Sequence, residues 1–172
     1  PDHRHLVAAS SRTTAAKRRG RSAAAVAEDL RADFEVRRYY VTGRLDLSIY
    51  ADDALFDAPD PATPVRGAAK FADALRGLFD ARRSRCDLLH MAVVDGHVVA
   101  LWRLEGVLRL PWKPAVKAFV GETTYGLDED GIVASHVDPE HLIAATTSAY
   151  RSTDGGGSWT LIGGYGGPFG IH

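Results

Sequence analysis

The chain has 172 residues, 45% of them hydrophobic and 25% charged, with a formal net charge of −1. These are the proportions of one globular domain, large enough to bury a core without staples. Its single cysteine, Cys86, excludes a disulfide framework and any multi-cysteine zinc site. No apolar run reaches the roughly 18 residues of a membrane-spanning helix, and the charge balance gives no reason to expect nucleic acid.

Residues 1–22 form a basic arm in which Arg4, Arg12, Lys17, Arg18, Arg19 and Arg21 face one acid, Asp2, among Ala, Ser and Thr. Such Arg-rich, Ser-rich, acid-poor stretches mark organelle transit peptides, and the other reading is a patch for an anionic surface. Residues 22–41 have helical spacing: Ser22 is placed to cap, and Val26, Leu30, Phe34, Arg37 and Val41 recur near every 3.6 residues before Gly43. A short helix or turn follows around residues 47–51, then a brief strand at Ala54, Leu55 and Phe56, broken by Pro59 and Pro61. Residues 67–82 read as a helix with the stripe Ala68, Phe71, Ala72, Leu75, Leu78, Phe79.

Beyond this point the period changes to two. Strands 86–94 and 97–108 flank Asp95-Gly96, a strong hairpin signal. Leu110-Pro111-Trp112-Lys113-Pro114 interrupts the ladder, residues 115–127 make a third long strand, and a turn through Gly131 leads to a fourth at 132–137. Helices followed by a meander define an α+β fold: a curved antiparallel sheet wrapped around N-terminal helices as a cone-like barrel over residues 23–138. The remainder, 139–172, is a Gly-rich extension that gains little by burial.

The motifs, taken in order, resemble a known superfamily. Tyr50, Asp52, Asp53, Phe56 and Asp57 lead to Thr63-Pro64-Val65-Arg66-Gly67. Trp102-Arg103-Leu104-Glu105-Gly106, Leu110-Pro111-Trp112 and Gly121-Glu122-Thr123-Thr124-Tyr125 follow. Asp130-Gly131-Ile132 and His136-Val137-Asp138 close the set. The chain resembles the nuclear transport factor 2-like superfamily, which includes SnoaL-like cyclases and ketosteroid isomerase. Within it the resemblance is to a family of unknown function from plants, algae and cyanobacteria. That resemblance implies a chloroplast setting and no established activity. In the tail, Ser152, Asp154, Gly156 and Trp159 resemble an Asp-box, a device that stabilises a turn.

Enzymes of the cone superfamily use a carboxylate or histidine deep in the hollow, where desolvation tunes its pKa. Here His136 and Asp57 form the candidate proton-transfer pair with Tyr125 as donor, and Trp102, Phe119 and Tyr125 the candidate ligand wall. The alternative is that His136 is a satisfied strand histidine and Tyr125 a core residue. Arg66 has Asp53 and Asp57 as expected ion-pair partners. Arg82, Arg83 and Arg85 are cations able to lower the pKa of Cys86, but no partner base is evident and a half-buried strand cysteine is the default reading. The seven histidines show no metal-ligand spacing, and neither a metal nor another cofactor is expected. Trp112, between two prolines, is a preorganised aromatic of the kind enriched at interfaces.

Two functional expectations follow. The first is a non-catalytic accessory subunit that docks peripherally on a larger plastid complex, such as a photosynthetic complex of the thylakoid. Its partner-binding residues are Arg18, Arg19, Arg21, Trp112 and Trp159. The second is a small-molecule carrier or acid–base enzyme of the ketosteroid-isomerase or SnoaL type, acting on an apolar ligand in the cone. A homodimer through the open sheet face fits either.

Overall fold

The computed structural model describes residues 16–58 and 64–138 in full, together with the backbone of 142–145, 148–152 and 160–164. Helix α1 (Ala23–Ala32) starts where Ser22 accepts a hydrogen bond from the Ala25 amide, and it buries Val26, Ala27 and Leu30. The single helix expected over 22–41 is broken. A π-helical turn spans Asp33–Arg37, Arg38 takes a left-handed conformation (φ 53°), and α2 (Tyr39–Thr42) follows. The break accompanies a long-range contact: the Arg38 guanidinium donates to the carbonyls of Ala81 and Ser84 at 3.1 and 2.6 Å. This re-phases the helix, so Tyr39, Tyr40 and Val41 turn inward while Arg37 pairs with buried Asp33 at 3.0 Å.

A 3₁₀ turn (Leu47–Ile49) leads into β1 (Tyr50–Asp57), longer than the brief strand expected. The two-residue β2 (Val65–Arg66) pairs with it, and α3 (Ala68–Leu78) lies on the sheet. That helix stops four residues before the expected end, because Phe79 turns extended and bridges to Leu108, which leaves Leu78 exposed. Strands β3 (Arg85–Val94), β4 (His97–Val107), β5 (Ala115–Leu127) and β6 (Val133–Val137) match the period-two reading closely. The Asp95-Gly96 turn has positive φ at both residues, as a type I′ hairpin requires.

Strands β3, β4, β5 and β6 follow one another in antiparallel order, and β6 then pairs in parallel with β1. The sheet is therefore mixed rather than wholly antiparallel, and it stays open, with β2 ending one side and β3 ending the branch that β4 carries from β5. Register shifts in β3/β4 and β4/β5 supply bulges that bend the long strands around the helices. In the segment read as a glycine-rich extension, the backbone forms β7 (Leu142–Ala145), β8 (Ser148–Ser152) and β9 (Thr160–Gly164). Strand β7 joins β5 beside Val120, and the three pair antiparallel in sequence.

The concave face and helices enclose one core in which Leu30, Phe34, Tyr39, Tyr50, Phe56, Trp102 and Tyr125 are buried. Gly121 is needed there: a Cβ would lie 2.3 Å from Trp102 Cη2, so only glycine lets the indole lie flat on β5.

Candidate functional site

Strand parity brings His136 and Asp138 to one side of β6, opposite Thr123 and Tyr125 of β5. Helix α2 lowers Tyr39 and Tyr40 onto this surface. The Tyr39 hydroxyl lies 3.1 Å from His136 Nε2 and 2.7 Å from the Tyr125 hydroxyl. The Tyr40 hydroxyl is 2.8 Å from Thr123 Oγ1 and donates toward both Asp138 oxygens at 3.2 and 3.3 Å. Thr123 accepts from Trp102 Nε1 at 2.8 Å and donates to Asp138 Oδ1.

The hydrogen-bond directions follow from which ring nitrogen carries the histidine proton. Burial lowers the pKa of His136, which is 1% exposed, so the ring is neutral at pH 7 and carries one N–H. With that N–H on Nδ1, the nitrogen 3.9 Å from Asp138 Oδ1, Nε2 accepts from Tyr39 and Tyr39 accepts from Tyr125. Burial raises both tyrosines well above the ordinary phenol range, which makes them hydrogen-bond donors and not bases. The result is a short wire, Tyr125 to Tyr39 to His136, beside a second network centred on Thr123. Chemically it can orient a proton. Each of its members is already engaged with another member.

The sequence-predicted residues divide accordingly. Tyr125 and His136 do meet, through Tyr39 and in edge-to-face contact with ring centroids 5.1 Å apart. Asp57 does not join them: Phe56 is the residue that faces His136, with centroids 5.2 Å apart, and alternation along β1 turns Asp57 to the other side. The carboxylate beside His136 is Asp138. Trp102 fills the interior, and Phe119, 43% exposed, packs edge-to-face on it at 5.6 Å. Among the described residues neither Asp53 nor Asp57 is within ion-pair distance of Arg66; the strand's ion pair is Lys17 to Asp52 at 2.7 Å. Cys86 is a buried strand cysteine, the default reading, and burial raises its pKa where neighbouring arginines could have lowered it.

The basic arm is a further correction. Arg18 bonds Asp46 at 2.7 Å and Asp29 at 3.2 Å, Arg21 pairs with Asp29 at 2.9 Å, and Arg19 pairs with Asp130. The Arg18 amide donates to the Ser48 carbonyl at 2.9 Å, and the Arg21 carbonyl fills the space where a Gly131 Cβ would stand. These arginines tie residues 18–21 to the domain, each paired with an acid of the chain itself. Trp112 stands 73% exposed on the turn Leu110–Lys113, closed by the Lys113 amide on the Leu110 carbonyl at 2.8 Å. Trp159 and the rest of the Asp-box motif lie outside the described residues.

Sequence reasoning missed Tyr39, Tyr40 and the role of Asp138. The spacing His136-x-Asp138 held the signal for the last, since residues two apart share a strand face. It also missed a cleft of about 770 Å³ between the end of α3 and the β4–β5 turn, lined by Arg44, Arg76, Arg82, Arg109 and Lys113.

Among curated proteins none matches the chain. Solved structures do. An uncharacterized cystatin fold protein from Novosphingobium aromaticivorans superposes with a TM-score of 0.53 at 16% identity, covering 69% of this chain and 98% of that one. A SnoaL-like protein from Jannaschia sp. CCS1 gives 0.45 at 17% identity, covering 64% and 81%. An NTF2-like protein of unknown function from Cytophaga hutchinsonii gives 0.44 at 12%, covering 65% and 87%. At such identity the first likeness shows the fold and nothing of the chemistry. It is the α+β cone expected from sequence. The profile of the family described as "Uncharacterized conserved protein (DUF2358)" matches residues 24–136, most of the domain, and the chain belongs to that family.

Proposed function

We propose that this protein is a non-catalytic accessory module that docks on a larger assembly through the Trp112 turn. One contrast carries the reading: the polar side chains an enzyme of this fold would turn on a substrate are spent on one another, while Trp112 is 73% exposed on a proline-flanked turn. Buried networks of this kind rigidify a core. Rigid exposed aromatics lose little entropy when a partner covers them. The resemblance to a family of plants, algae and cyanobacteria supports a plastid setting, with a photosynthetic membrane complex as the proposed partner.

Native fractionation of the organelle tests this with Trp112→Ala beside the wild type. The wild type is expected to migrate with a complex of far larger mass, and the variant, equally folded by circular dichroism, as the free chain. Identical migration of both would overturn the docking role of Trp112.

A second reading, a carrier or acid–base enzyme for an apolar ring compound, is favoured by the convergence of Tyr39, Tyr125 and Asp138 on His136. It predicts a ligand that raises the Tm of the wild type and leaves that of His136→Gln unchanged.

A further inference from the structure

The cleft at the end of α3 is built by backbone ties between segments distant in sequence. The Arg109 amide donates to the Leu78 carbonyl at 2.9 Å and the Asp80 amide to the Val107 carbonyl at 2.8 Å. On the opposite wall Gly43, at φ +67°, sits so close to α3 that a Cβ would lie 2.4 Å from the Ala72 carbonyl oxygen. That approach sets Arg44 beside Arg76. Lys113 comes to the rim in a left-handed conformation (φ 45°), which a residue with a Cβ adopts at a cost.

Five cations, Arg44, Arg76, Arg82, Arg109 and Lys113, thus surround a floor that includes Phe79 and Leu108, with Asp80 the one acid in the lining. Arg76 is held by Asp73 at 2.6 Å, and an Asp80 carboxylate oxygen accepts the Arg82 amide. Among the described residues, the side chains of Arg44, Arg82, Arg109 and Lys113 have no carboxylate within ion-pair distance. Outside the cleft, Lys17, Arg18, Arg19, Arg21, Arg37 and Arg103 each pair with an acid of the chain itself, while Arg66, Lys70, Arg83 and Lys117 have no carboxylate within ion-pair distance among the described residues and do not line this cleft. Four cations without an ion pair thus gather around one concavity, where like charges repel and Asp80 is the one acid of the lining.

We propose that this cleft is a binding site for a phosphate ester: a multiply charged oxyanion on an apolar body. Guanidinium forks match phosphate oxygens bidentately, the apolar floor suits a ring or chain, and the volume is that of a small-molecule site. A soluble phosphomonoester and an anionic lipid headgroup share this chemistry. The cleft shares the Leu110–Lys113 turn with Trp112, but its argument does not rest on the docking role of that residue.

The test uses the whole chain with phenyl phosphate as the soluble probe, followed by calorimetry, and with phosphatidylcholine vesicles containing phosphatidic acid, followed by sedimentation. At least one probe is expected to bind, with an affinity that falls as salt rises. The double variant Arg82→Gln/Arg109→Gln, both exposed positions, should weaken that binding at least tenfold, and Arg85→Gln, outside the cleft, should leave it unchanged. Arg44→Gln provides an independent second variant, and matched Tm values show that each is folded. Phenyl phosphate binding assigns a soluble ligand; vesicle binding alone assigns a lipid headgroup. Failure of both probes, or binding indifferent to the cleft variants, would overturn the proposal.

Discussion

Replacing Tyr39 by phenylalanine removes one oxygen and breaks two hydrogen bonds, the 2.7 Å contact with Tyr125 and the 3.1 Å contact with His136 Nε2. Both partners are buried, so each is left as an unsatisfied polar group, at a cost of about 1–3 kcal/mol apiece. The lost volume is one hydroxyl, and little cavity term is added. Tyr39→Phe should therefore cost about 3 kcal/mol. Tyr50 provides the internal comparison, because it is just as buried and its hydroxyl has no partner among the described residues. Removing an orphan hydroxyl relieves a penalty, so Tyr50→Phe should be neutral or stabilise by up to about 1 kcal/mol. Urea titration monitored by circular dichroism separates the two, since a loss of about 3 kcal/mol lowers the midpoint by roughly 1–3 M at ordinary m-values. If Tyr39→Phe matches the wild type, or if Tyr50→Phe loses as much as Tyr39→Phe, the assignment of the network as a structural element fails.

Three more outcomes are expected. Burial, only partly offset by Arg37, pushes the Asp33 carboxyl up to about 7. Its contribution to stability is fully present below the unfolded value of 3.8 and is lost as pH rises through about 7, by at most about 1.4 kcal/mol per pH unit. The stability difference between wild type and Asp33→Asn should thus decline between pH 4 and 7 and level off above, and a difference independent of pH would refute it. His136, depressed by burial, acts in the opposite sense and cancels from that difference. Cys86, buried with its thiol pKa raised, should react with a thiol reagent only in denaturant; rapid labelling of the native protein would contradict its placement. Gly121→Ala should cost at least 2 kcal/mol, roughly the scale of core overpacking, by driving the Trp102 ring off Thr123, and near-ultraviolet circular dichroism should register the change.

The strands were legible because their signals are local. Asp95-Gly96 states a turn in two residues, and alternation along residues 97–107 assigns the buried face without knowledge of any neighbour. What the sequence hid depends on distant partners. Helical spacing over residues 22–41 put Arg37 and Val41 on one face, and nothing nearby reveals that Arg38 reaches the carbonyls of Ala81 and Ser84. That contact accompanies the break that re-phases the helix and delivers Tyr39 and Tyr40 to the core. The parallel pairing of β1 with β6 was hidden in the same way, and with it the replacement of Asp57 by Asp138 beside His136. Half of the candidate site, Tyr125 and His136, was readable by strand parity. The other half arrives on a helix whose phase is set from across the fold.

The arm carries the same lesson about charge. Composition alone counts Arg18, Arg19 and Arg21 as a free basic patch, yet each meets an aspartate supplied from a different part of the chain: Asp46, Asp130 and Asp29. A cation that finds its acid inside the fold is explained by folding, and its presence carries little information about partners. Four cations of the cleft have no such explanation among the described residues. Holding like charges around a concavity costs energy that the folded chain does not recover by itself. The interior and the surface therefore differ in kind: the hydroxyls of Tyr39, Tyr40, Thr123 and Tyr125 are engaged with neighbours in the core, whereas Arg44, Arg82, Arg109 and Lys113 meet no acid among the described residues and the ring of Trp112 stands exposed.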